Sequence, residues 1–210
     1  MSEFNRDQWA GFNAIRKAME GLPPSELEGL AEKSGQYLDF RRSLDRYQSE
    51  HFGPFCHSAC FETGLSACCG FESIFTFFAD MVIESLFASS EEMRGIFRAL
   101  EKPNLSRRCV YLGENGCIWR FRPISCAMFI CEDATRASFK NRPEAKATWE
   151  EYRRREKEFT YPDKPVLFDD IEKYFKNLGV DSVHMYLHRS PGLMRLKQLS
   201  GLARKAPPRT

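Results

Sequence analysis

Eight cysteines confined to positions 56–131 constrain what this chain can fold into more than any other feature. They form two groups, Cys56, Cys60, Cys68 and Cys69, then Cys109, Cys117, Cys126 and Cys131, and none occurs in the first 55 or the last 79 residues. Gly64 and Gly70 punctuate the first segment and Gly113, Gly116 and Pro123 the second, so both read as irregular loops. One cysteine is often a packed thiol, but eight in two short segments point to a shared centre. The opening residues carry Glu3 and Asp7 without a continuous apolar run, which predicts no secretory leader and a cytoplasmic protein. Disulfides do not persist in a reducing compartment, and eight cysteines in 210 residues fall below the density of small secreted scaffolds. Ligation of a metal ion or cluster is then the leading reading.

The surrounding pattern predicts a mainly α protein, a small helical domain in which the two loops converge on a metal centre. Trp9, Phe12, Ile15 and Met19 mark a helix over residues 5–20 that stops before Gly21 and Pro23. A second begins after Ser25 and runs toward His51, closed by Gly53-Pro54. Residues 1–53 read as an N-terminal helical extension, 54–188 as the cysteine-cluster domain, and 189–210 as a flexible tail whose charges are all basic. Within the domain, Phe71, Ile74, Phe75, Phe78, Val82 and Leu86 mark a long helix, and residues 91–100 a shorter one. A helix of about 19 residues reaches roughly 28 Å, a return of about 12 recovers roughly 18 Å, and six extended residues cover the rest. Such a hairpin returns Cys109 to Cys69. Further helices are expected over residues 143–159 and 167–178.

Soft thiolates bind metal by converging within about 2.3 Å of one ion, so local pairs are brought together by the fold. Cys56 and Cys60 stand four apart, one helical turn, and Cys109 and Cys117 bracket the turn-prone Gly113-Glu114-Asn115-Gly116. Cys131, beside Met128-Phe129-Ile130, is the member most readily spared. His57 follows Cys56, but adjacent residues seldom reach one ion; His184 and His188 are four apart with no cysteine or carboxylate completing a set.

Other chemistries are disfavoured. A formal net charge of +2 gives no pull toward nucleic acid, and glutamates interleave with the Arg153-Arg154-Arg155 run. Residues 71–88, the most apolar stretch, contain Glu72, Asp80 and Glu84, which argues against a membrane span. There is no phosphate-cradling glycine loop, and no nucleophile-base-orienter set can be named.

Cys68-Cys69 preceded by spaced cysteines, then Cys109-Val110-Tyr111-Leu112, Gly116-Cys117-Ile118-Trp119 and Arg122-Pro123-Ile124-Ser125-Cys126, resembles the YkgJ-type cysteine-cluster family, described as a zinc- or iron-chelating domain. The family's opening C-x-x-C-x-x-C-C is stretched here to three and then seven intervening residues, and Cys117 to Cys126 is one residue shorter. The resemblance covers about a third of the chain and implies metal binding through thiolates. The irregular spacing leans toward an iron-sulfur cluster over zinc. A four-thiolate centre is anionic, so Arg122 is expected to neutralise it and to donate hydrogen bonds, with Pro123 fixing the approach to Cys126. A metal-dependent enzyme or its accessory, or a thiol-disulfide redox sensor, are the alternative functions.

Overall fold

The computed structural model describes residues 1–65, 68–70, 75–103 and 108–202, and over these the chain is mainly helical. Helices α1 (Glu3–Glu20), α2 (Pro24–Lys33) and α3 (Gly35–His51) come first. A turn, α4 (Gly53–Cys56), passes into a wider π-turn over His57–Phe61. Next are α5 (Phe78–Phe87) and α6 (Ser90–Glu101), a two-residue hairpin of β1 (Leu112–Gly113) and β2 (Gly116–Cys117), and α7 (Ile124–Met128). The chain then runs through α8 (Glu132–Phe139), α9 (Pro143–Thr160), α10 (Leu167–Asn177), α11 (Tyr186–Arg189) and α12 (Pro191–Leu199).

The core is aromatic and continuous from α1 to α11. Phe12 and Ile15 of α1, Phe40 and Leu44 of α3, Phe78 and Met81 of α5, and Phe168 and Phe175 of α10 are fully buried or nearly so. Each contributes roughly 1.5–3 kcal/mol by leaving water. The rings interlock edge to face: Tyr37 meets Phe159 and Phe168 at 5.3 Å, and Phe78 meets Phe175 at 5.4 Å. Gly11 lets α1 approach α5, because a Cβ there would stand 2.7 Å from Met81 Cε. Residues 1–53, expected as an extension, therefore build part of the common core.

Several elements depart from the sequence pattern. The helix expected over 71–86 starts only at Phe78, because the Phe77 N–H is taken at 3.2 Å by the Asp80 carboxylate one turn on; Phe71 and Ile74 lie outside the described residues. The helix expected from Ser25 to His51 breaks at Ser34, whose N–H donates to both Leu30 and Ala31 carbonyls, and Gly35 opens a new one. Pro24, at the first helical position, starts α2 before Ser25. Gly53-Pro54 does not end the helical path; Pro54 sits in a first turn, where a missing N–H costs nothing. The segment expected as a flexible tail folds through Leu199. Lys197 of α12 is buried, pairs with Asp169 of α10, and donates to the Leu187 carbonyl at 3.1 Å. Residues 203–210 of that tail lie outside the described residues.

Candidate functional site

The two cysteine segments meet through their backbones. The Cys109 N–H donates to the Cys69 carbonyl at 2.7 Å, and Gly70 bridges Arg108. The hairpin of α5 and α6 thus leaves one cysteine segment and returns to the other. Cys56 ends α4, and Cys60 stands in the π-turn, so the first segment begins as a widened helix end and not as an irregular loop. In the second, Leu112 pairs with Cys117 across a tight turn in which Gly116 adopts φ +106°, a conformation that favours glycine. Cys126 rides on α7 just after Pro123.

Seven of the eight thiols face one cavity of about 230 Å3. Cys56, Cys60, Cys68 and Cys69 line it from one side, Cys109, Cys117 and Cys126 from the other, and Phe61 and Phe129 stand exposed at its edge. Cys131 is not on the cavity wall, but its thiol is hydrogen-bonded to Cys68. All eight stand outside any disulfide and are half-buried. The thiols act on one another across the two segments: Cys69 on Cys56, Cys109, Cys117 and Cys126, Cys60 on Cys56 and Cys69, and Cys131 on Cys56 and Cys68.

Burial pushes the thiols of Cys68, Cys109 and Cys117 up to about 12, and those of Cys56, Cys69 and Cys126 above the ordinary cysteine range. Arg122 opposes this at Cys56, Cys69, Cys117 and Cys126, so its positive field reaches thiols of both segments. Its guanidinium lies on the cavity wall and donates to Gln48 Oε1 at 2.5 Å, with Asp45 at 3.8 Å. Among the described residues, no group of three or more His, Cys, Asp or Glu side chains is already drawn together at the spacing of ligands to one ion. The donor set nevertheless has the chemistry of a soft-metal centre: clustered thiols, no competing carboxylate on the wall among the described residues, and a cation to balance charge.

Four polar residues that support these loops carry no motif. On α5, Asp80 accepts the Ile124 N–H at 3.1 Å, and Glu84, one turn later, accepts Arg120 and Phe121 N–H at 2.8 and 2.9 Å. Both carboxylates are buried, which pushes each up to about 7 despite Arg41 beside Asp80 and the backbone donors at each. They clasp the strap that carries Arg122 and leads to Cys126. Gln8 of α1 donates to Thr76 at 3.1 Å and accepts from the Tyr111 hydroxyl at 2.9 Å, between Cys109 and Cys117. Gln48 of α3 donates to the Ala127 carbonyl while accepting from Arg122. The available signal was Asp80 and Glu84, two acids four apart inside the most apolar run.

The histidines stand elsewhere. His57 is exposed and faces Glu62 at 3.3 Å. His184 is buried beside Gly11, and His188 is held by Glu172 at 2.9 Å, so the two do not form a pair. Arg154, on the exposed face of α9, is paired with Glu151 and Glu158. Among the described residues no helix is long and apolar enough to cross a membrane. No family model, curated protein or solved structure matches the chain. The likeness to the YkgJ-type family rests on the cysteine motifs themselves.

Proposed function

We propose that this chain is a cysteine-cluster metalloprotein of the YkgJ type that holds an iron-sulfur cluster, or zinc, through thiolates in a reducing compartment. The observation that carries this reading is the meeting of seven thiols from both sides of the α5–α6 hairpin on one cavity, with the Arg122 guanidinium on its wall. Thiols converging from distant segments serve a common ligand better than they serve packing, since a core is filled more firmly by aliphatic side chains. The irregular, loop-borne spacing of the thiols favours an iron-sulfur centre over the paired knuckles of structural zinc. An iron-sulfur centre supplies one-electron transfer when bound, and zinc a structural clamp. Arg122 then balances the thiolate charge, while Asp80 and Glu84 hold its backbone strap in place.

The hydrogen-bonded pair Cys68 and Cys131 favours thiol-disulfide sensing as a second reading. Sensing needs thiolate, however, and burial pushes Cys68 up to about 12, so Cys68 is poorly reactive at neutral pH. Elemental analysis and an absorption spectrum of the untagged protein, purified without oxygen, separate the readings. Near-stoichiometric iron with visible absorption, or tightly held zinc, is expected. A folded, reduced protein that contains neither metal and takes up neither overturns the metal reading.

A further inference from the structure

A second cavity, of about 440 Å3, adjoins the thiol cavity and shares Cys56, Cys117 and Arg122 with it as a common wall. Its volume lies within the range of small-molecule sites. Among the described residues two arginines line it, Arg120 and Arg122, against one carboxylate, Asp45. The backbone between and after the two arginines is fixed, because Glu84 holds the N–H groups of Arg120 and Phe121 and Asp80 holds that of Ile124. The arginines therefore stand on a rigid strap opposite α3. The floor is apolar: Phe52 and Trp119 are 2% and 3% exposed.

The partners the arginines have now are weak and replaceable. Arg120 meets Glu92 at 3.2 Å with both side chains partly exposed, and Arg122 meets Asp45 only at 3.8 Å, pairs of a kind worth about 0–1 kcal/mol. The closer partner of Arg122 is a neutral amide, Gln48. An incoming carboxylate or phosphate offers both guanidiniums charge-assisted, fork-matched hydrogen bonds, which are roughly twice as strong as neutral ones. We propose that this second cavity binds a small organic anion, its carboxylate or phosphate head held by Arg120 and Arg122. The position of that ligand beside a metal centre rests on the metal reading; the binding itself does not.

Isothermal titration calorimetry of the full-length protein as purified, with benzoate, phenyl phosphate and neutral benzamide as probes, tests this. Saturable binding of benzoate or phenyl phosphate is expected, with benzamide at least ten-fold weaker; the tighter anion identifies the head group. Arg120→Ala should weaken the anion at least ten-fold, and Arg120→Lys, which keeps the charge and loses the planar fork, should fall between. Arg120 does not line the thiol cavity, so metal content in the same samples should be unchanged. No saturable binding of either anion, equal binding of benzamide, or unaltered affinity in both folded Arg120 variants overturns the proposal. Anion binding by a protein that holds no metal would keep this site and remove the metal reading; metal without anion binding would do the reverse.

Discussion

Replacing Glu84 by Gln should change how stability depends on pH more than it changes stability at any one pH. Glu84 is fully buried, its oxygens accept two backbone N–H groups, and burial moves its carboxyl from 4.5 to about 7. The folded state therefore holds the Glu84 proton more tightly than the unfolded chain does, by roughly 3 kcal/mol. That contribution is fully present below about pH 4.5 and is lost as pH rises through about 7, so Glu84 makes the wild-type protein less stable toward alkaline pH. Glutamine does not titrate, and it offers a single acceptor, so one of the two N–H groups meets an amide donor at a cost of about 1–3 kcal/mol. Near pH 5 the Glu84→Gln protein should be the less stable by about that cost. By pH 8 the gap should shrink by roughly 3 kcal/mol and close or reverse. Asp80, also raised to about 7, is present in both proteins and cancels in the difference. Urea unfolding followed by circular dichroism from pH 5 to 8, at matched metal content, measures it. Parallel pH curves with a constant gap would refute the claim that Glu84 is buried as a high-pKa acid.

Lys197→Met should destabilise by about 3–5 kcal/mol in urea unfolding, because it leaves the buried Asp169 carboxylate without its ammonium partner; unaltered stability would return α12 to the status of a loose end. Gly11→Ala should cost about 0–2 kcal/mol net, because its Cβ would stand 2.7 Å from the movable end of Met81 and 3.1 Å from His184 Cδ2 while alanine regains about 1 kcal/mol of helix propensity, and a clear rise in melting temperature would refute that close approach. Cys69→Ser and Cys117→Ser should each cut metal content sharply, a hard hydroxyl replacing a soft thiolate, and full retention in both would return these thiols to packing. Arg122→Ala should weaken metal retention, while Arg154→Ala, on an exposed and already paired face, should not; equal retention would remove Arg122 from the centre.

The helical class was legible because its signals are local. Phe12 and Ile15 on one face, Gly21 just past a helix end, and Pro143 at a helix start report elements that residues a few positions apart decide. The same local reading failed where a distant or sideways partner decided. At the start of α5 the Phe78 N–H is taken at 3.0 Å by the carbonyl of His184, far along the chain, and Lys197 orders the C-terminal segment by reaching a carboxylate 28 residues away. The cysteine groups were legible as groups, because type and clustering carry that signal. Which thiols neighbour which was not, since Cys68 beside Cys131 depends on the packing of α7 and α8 and not on spacing. Nor could patterning tell that Gln8 and Gln48, on helices that read as packing, brace the loops; a buried amide looks like any polar residue until its partners are in place.

Because the thiols of the cavity come from both sides of the α5–α6 hairpin, the order of synthesis separates them in time. A ribosome adding about 5–20 residues per second needs roughly 4–14 s to pass from Cys56 to Cys126. Until Cys109 is made the early four cysteines have none of their later neighbours, and the seven-thiol cavity is complete only after Cys126. For the metal centre proposed above, loading of that cavity would wait until the hairpin has folded back, as a maturation step of the finished chain, with the half-made protein the form most exposed to oxidation.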